Sequence, residues 1–144
     1  MKVIKQISLF LENRSGQLLE ITKLLSENNI DLKAVNIAET DDYGILRLIT
    51  DDYEKADAVL KENGFLVSVN SVFAVAVPDI AGGLNELLTL MAESDINIEY
   101  MYSVFGHKHG LAYMVFRVDH AHRFEDLINE HNLTTADSAE LGIK

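Results

Sequence analysis

Glu12-Asn13-Arg14-Ser15-Gly16-Gln17-Leu18 is the stretch whose reading decides the fold, and Pro78-Asp79-Ile80-Ala81-Gly82-Gly83-Leu84 repeats it at an offset of 66 positions. Each joins an apolar strand to an apolar helix and sets a glycine two residues ahead of the first leucine that the helix buries. The first N–H groups of a helix have no intrahelical acceptor and carry the positive end of the helix dipole, so a carboxylate or phosphate can bind there. Two such turns in one chain predict a duplicated unit with a candidate small-ligand site in each copy.

Upstream of the first turn, Ile7, Leu9 and Leu11 alternate with Gln6, Ser8 and Glu12, as a half-buried strand from Ile4 to Leu11 would. Downstream, Leu18, Ile21 and Leu25 form one face of a helix that Ser15 is expected to cap and that ends at Asn28-Asn29. Ile30 to Glu39 reads as a second strand, Thr40 to Gly44 as a hairpin tip and Ile45 to Thr50 as the antiparallel partner. Asp51 or Asp52 can cap a second helix with Tyr53, Ala56, Val59 and Leu60 on its apolar face and Gly64 at its end. Phe65 to Val69 completes the order βαββαβ, the ferredoxin-like unit.

The second half repeats that order. Phe73, Val75 and Val77 match Ile7, Leu9 and Leu11; Met91 matches Leu25; Ile96-Asn97-Ile98 match Ile30-Asp31-Leu32; and Gly110 matches Gly44. A two-residue insertion near Arg117 to Asp119 changes the offset to 68, after which Phe124, Leu127 and Ile128 stand where Ala56, Val59 and Leu60 do. The predicted fold is α+β, two ferredoxin-like βαββαβ repeats over 1–70 and 71–144, with antiparallel sheets side by side and helices on one face. Asn70-Ser71 is the expected short linker.

Composition narrows the function. With 144 residues and 48% hydrophobic content the chain can bury a core. No apolar run approaches the roughly 20 residues of a membrane helix, and the first residues lack a signal peptide's apolar region, so a cytoplasmic protein with no membrane partner is expected. Absence of cysteine excludes disulfides, thiol nucleophiles and cysteine zinc sites. A formal charge of −11 argues against nucleic acid, which needs a basic face. RNA-recognition domains share the element order but require stacking aromatics that Gly44 to Ile49 lacks. No serine elbow, phosphate-loop lysine or dinucleotide glycine fingerprint is present, so neither an enzyme nor a cofactor is expected. His107 and His109, and His120 and His122, are spaced by two at a predicted hairpin tip and helix start, but nothing completes a metal site around them.

With both turns and the repeat in hand, the chain resembles a tandem pair of ACT domains, the small regulatory modules that sense amino acids in biosynthetic enzymes. The resemblance rests on residues 12–18 followed by Asn29-Ile30-Asp31-Leu32, and on residues 78–84 followed by Asp95-Ile96-Asn97-Ile98. In the first copy Ser15 stands where the family usually has proline before the glycine. What the resemblance implies is a stand-alone sensor that binds a free amino acid at an interface between ACT modules. The implied ligand-binding residues are Asn13, Arg14, Ser15, Gly16, Gln17, Leu18 and Asp31, with Asp79, Ile80, Ala81, Gly82, Gly83, Leu84 and Asn97 in the second copy. The backbone N–H groups at Gly16-Gln17 and Gly82-Gly83 would take the ligand's carboxylate. Oxygens of Asn13, Asp31, Asp79 and Asn97 would take its ammonium. Asn and Asp also occupy turns with no ligand at all, and that reading stands beside the first. A homodimer and a partner enzyme are the implied partners. The alternative is a ligand-free interaction or dimerisation module. Acidic residues near both turns suggest a ligand with a polar or cationic side chain, such as histidine.

Overall fold

A computed structural model describes residues 3–12, 14–39, 43–105, 110–136, 139 and 141–143. Asn13, the tip residues Thr40 to Asp42, and His107 and His109 lie outside the described residues. The elements are β1 (Ile4–Glu12), α1 (Gln17–Glu27), β2 (Leu32–Glu39), β3 (Tyr43–Thr50), α2 (Tyr53–Glu62), β4 (Val67–Pro78), α3 (Gly83–Glu93), β5 (Ile98–Ser103), β6 (Leu111–Val118) and α4 (Ala121–Glu130). The chain divides into two compact units. One spans 5–71 and takes in 138–144; the other spans 72–137 and takes in 1–4.

The first unit follows the split βαβ order expected, with β2, β3, β1 and the first part of β4 side by side. Register is set by Ile7 opposite Leu48 and Leu11 opposite Gly44 on one side, and Val35 opposite Leu48 on the other. Those pairs put Ile7, Leu9, Leu11, Leu46 and Leu48 on the face that meets Ile21 and Leu25 of α1 and Ala56, Val59 and Leu60 of α2. The period-2 strands and the 3.6-period helices therefore present their apolar sets to one another across a single core. Helices cover one face of the sheet, as the sequence predicts.

The second unit repeats this around the later part of β4, then β6 and β5. Phe73 pairs with Phe116 and Val77 with Ala112. Phe73, Val75, Val77 and Phe116 meet Leu87 and Met91 of α3 and Phe124, Leu127 and Ile128 of α4. Where the first unit has a fourth strand, this one has a short bridge: Ala76 N–H donates to Thr134 O at 2.8 Å and Ala136 N–H to Ala74 O at 2.9 Å.

Three sequence expectations change. Asn70-Ser71 is not a linker but the middle of one continuous strand, β4. Its side chains are engaged there: Ser8 Oγ donates to Asn70 Oδ1 at 2.9 Å and Lys5 Nζ to Ser71 Oγ at 2.8 Å. Ser15 does not cap α1; Gly16 is the N-cap, with no side-chain cap hydrogen bond. Gln6, assigned to a wet face, is fully buried and donates from Nε2 to Ser8 Oγ. The cap of α2 resolves to Asp52, which accepts from Lys55 N–H at 3.2 Å.

Candidate functional site

The first turn follows from the end of β1. Leu11 and Glu12 pair with Gly44 and Tyr43, so the chain leaves the sheet beside the start of β3. It must then reverse within a few residues to start α1, and Gly16 makes that reversal at φ +85°. A Cβ built on Gly16 would meet nothing within 4 Å. Glycine is there because L side chains disfavour the left-handed region, not because a side chain would collide. The first helical bond runs from Glu20 N–H to Gly16 O, so the N–H groups of Leu18 and Leu19 precede any intrahelical acceptor.

A cleft of about 330 Å³ opens at this turn, lined by Leu11, Glu12, Arg14, Gly16, Gln17, Leu18, Leu19, Ile37, Tyr43 and Gly44. Four predicted site residues, Arg14, Gly16, Gln17 and Leu18, line it, while Ser15 is exposed on the turn and not among the lining residues. Gln17 is 6% exposed, and its Oε1 accepts from the Glu12 N–H, tying the two ends of the turn together. Arg14 donates to Glu20 at 2.8 Å and to Glu12 at 3.2 Å. The Glu20 hydrogen bond most, then that to Glu12, raise the guanidinium pKa above its ordinary value. Arg14 thus stays charged but already holds two carboxylates, which leaves the rim with one net negative charge.

The second turn has the same backbone with different chemistry. Gly82 adopts φ +86°, and Asp79 N–H donates to Gly110 O at 2.8 Å. Asp79, Ile80 and Ala81 are exposed, Gly83 is buried, and Leu84 packs against the second core. A Cβ on Gly83 would lie 2.0 Å from Pro78 O, so backbone sits directly on backbone here. Pro78 and Gly83 occupy the repeat positions of Glu12 and Gln17. Proline offers no N–H for a glutamine to cap, and glycine closes the space that the glutamine would span.

Asp31 and Asn97 do not join the turns of their own copies. β2 runs from Leu32 opposite Thr50 to Glu39 opposite Gly44, which puts Asp31 at the far end of the sheet from Gly16. At roughly 3.3 Å per residue, the eight-residue strand separates them by about 25 Å. Local structure accounts for both residues. Asp31 N–H donates to Asp51 Oδ1 at 2.9 Å, and Asn97 N–H donates to Asp119 Oδ1 at 3.0 Å. The Asp31 carboxylate also pairs with Lys33 at 2.9 Å. The guess of a cationic ligand drew on Asp31, which is not at the cleft. The sequence reading missed Leu11, Glu12, Leu19, Ile37, Tyr43 and Gly44 as lining residues; for the last three the hairpin opposite Leu11 was the signal.

Among the described residues no group of three or more His, Asp and Glu could hold a metal ion. Among the described residues no helix is long and apolar enough to cross a membrane.

Among solved structures, a protein from Bacteroides thetaiotaomicron is similar, with 36% identity over 98% of this chain and 96% of its own, and a TM-score of 0.90. The ligand-free regulatory subunit of aspartate kinase from Thermus thermophilus is 13% identical over 91% of this chain and 92% of its own, with a TM-score of 0.64. Aspartate kinase from Clostridium acetobutylicum is 14% identical over 89% of this chain and 32% of its own, with a TM-score of 0.53. At those identities the two kinase comparisons speak to fold alone. No curated protein matches the chain. The family model for an ACT domain pair, a regulatory rather than catalytic unit, matches residues 2–143, so the chain belongs to the ACT domain family.

Proposed function

We propose that this chain is a regulatory protein whose ACT modules, 1–70 and 71–144, sense a free amino acid. The turns Asn13 to Leu18 and Asp79 to Leu84 are its candidate sites. The observation that carries this reading is the cleft at Gly16, open to solvent and bordered by helix-start N–H groups, a carboxylate rim and an apolar wall. A zwitterion presents the matching set: carboxylate, ammonium and side chain. A homodimer and a partner enzyme are part of this reading. The aspartate kinase subunits of the same fold support an enzyme as the reader of the signal. The cytoplasm is the proposed compartment. Ligand shifts the arrangement of modules only as far as it binds one arrangement better than the other.

A thermal-shift series with the twenty amino acids tests the reading. Ligand at a hundredfold excess over Kd stabilises by about 2.7 kcal/mol. For a chain of this size that is a rise of roughly 5–10 °C. A flat series at millimolar concentration removes the proposal.

A second reading, an interaction module that works without ligand, draws on apolar exposure beside the cleft. Phe10 is 52% and Ile37 47% exposed, and Phe10 stacks edge-on against Tyr43 at 5.6 Å. Association that persists with no amino acid present, and that Phe10→Ala weakens, is the outcome it expects.

A further inference from the structure

We infer that the second copy carries a binding site of its own at the end of α4, a cleft that takes a small organic cation, a primary ammonium on a short hydrocarbon chain. Neither glycine turn takes part, and the ligand carries no carboxylate, so this site is independent of the sensor reading above.

The cleft holds about 270 Å³. Its floor is apolar: Phe73 of β4, Ile128 of α4 and Leu133 just beyond the helix, all belonging to the second core or packed on it. Its rim bears oxygen: the Glu125 carboxylate, the Asn129 and Asn132 amides and the Thr135 hydroxyl. Glu125, Asn129 and Asn132 share one side of α4 and its end because they are spaced by four and by three. Among the described residues no lysine or arginine lines the cleft. An ammonium offers three donors to such a ring of oxygens, while its hydrocarbon chain covers the floor.

The repeat supplies an internal comparison. At an offset of 68, Glu125, Asn129, Asn132 and Leu133 stand where the first copy has Asp57, Lys61, Gly64 and Phe65. There the Lys61 ammonium pairs with the Asp57 carboxylate at 3.1 Å, so the first copy supplies its own cation at this place. The second copy keeps the carboxylate, exchanges the lysine for an amide and replaces the phenyl ring by a smaller aliphatic group. Asn132 also adopts φ +52°, where the first copy uses Gly64 at φ +85°. Asparagine visits the left-handed region more readily than other L residues, and here it adds an amide to the rim.

The local field favours positive charge. Asn129 lies in the last turn of α4 and Asn132 just past it, at the negative end of the helix dipole. Leu133 N–H donates to Ile128 O at 3.0 Å, which closes that turn and fixes the floor beside the rim. The formal charge of −11 adds attraction at longer range. An anionic group finds no opposite charge among the lining residues.

Isothermal titration of the full chain with n-butylamine, putrescine, butyrate and butanol at neutral pH tests this. One amine is expected to bind per chain, and butyrate and butanol are not. Asn129→Lys places the first copy's lysine at an exposed rim position and is expected to weaken amine binding at least tenfold, with the melting temperature near that of the parent. Leu133→Phe fills the floor with the first copy's ring and is expected to do the same. No binding of either amine at millimolar concentration, equal binding of butyrate or butanol, or unchanged affinity in Asn129→Lys overturns the site. Each of these outcomes leaves the sensor reading standing, since the amino-acid thermal-shift series tests that separately.

Discussion

Gly16 and Gly83 sit one residue apart in the repeat frame, yet each is glycine for a different reason, and mutation separates the reasons. Gly16→Ala meets no neighbour and forces alanine into the left-handed region, so a loss of about 1–2 kcal/mol is expected. Gly83→Ala keeps ordinary backbone angles but drives a methyl group into the Pro78 carbonyl. Its expected loss is larger, roughly 3 kcal/mol or more, at the top of the overpacking range. Urea unfolding of both variants checks the ranking. The compensation between copies is testable in the same assay: Gly83→Gln alone should destabilise, and adding Pro78→Glu should recover part of the loss by restoring the N–H that the glutamine caps in the first copy. At this scale the glycine turns were legible from composition and spacing. The bridge from Gln17 to Glu12 was not, because glutamine pairs as readily with water as with a backbone N–H until folding buries it.

Among the elements, β4 departs furthest from its sequence reading. Asn and Ser at 70–71, between two apolar runs, read as a connection; folding instead hydrogen-bonds both side chains to β1 and runs the strand straight through. One glycine inserted after Asn70 therefore separates the two accounts. A linker tolerates it. In a continuous strand it breaks the register in which Asn70 and Ser71 reach Ser8 and Lys5, so a lower midpoint is expected in a urea titration. α4 conforms to its reading. Phe124 contacts Phe73 and Phe116 edge-on at 5.0 and 5.8 Å and is fully buried, and Phe124→Ala is expected to cost about 3–5 kcal/mol, measured by the same titration. Its period-3.6 pattern of Phe124, Leu127 and Ile128 carried that information without reference to the rest of the chain. The cap at Asp52 was narrowed to two residues by sequence and chosen by geometry, since only one carboxylate can reach the Lys55 N–H while Asp51 serves Asp31.

At the scale of the molecule, the ends of the chain group with the opposite halves. Leu141 and Ile143, 9% and 8% exposed, belong to the unit built mainly from residues 5–71. Truncation after Ala136 should therefore destabilise the first unit, far in sequence from the cut, by roughly 3 kcal/mol or more from the apolar burial it removes. Amide hydrogen exchange in β2 and β3 is the measurement; unchanged protection there would show that the segment contributes nothing.

What the sequence determined by itself was whatever depends on local periodicity and on the duplication: the βαββαβ order of the first copy and the βαββα that follows it in the second, the helix faces turned to each core, and the two glycine turns. These follow because apolar spacing and backbone sterics act over a few residues and leave the same mark in each copy. The tertiary structure alone decided which residues meet. Register put Ile37, Tyr43 and Gly44 beside the first turn and sent Asp31 and Asn97 to the far ends of their sheets. Packing closed the second turn against Pro78 and held the first open beside Gln17. Pairings between residues far apart in the chain depend on strand order and on space filled by other side chains, and neither quantity exists until the chain has folded.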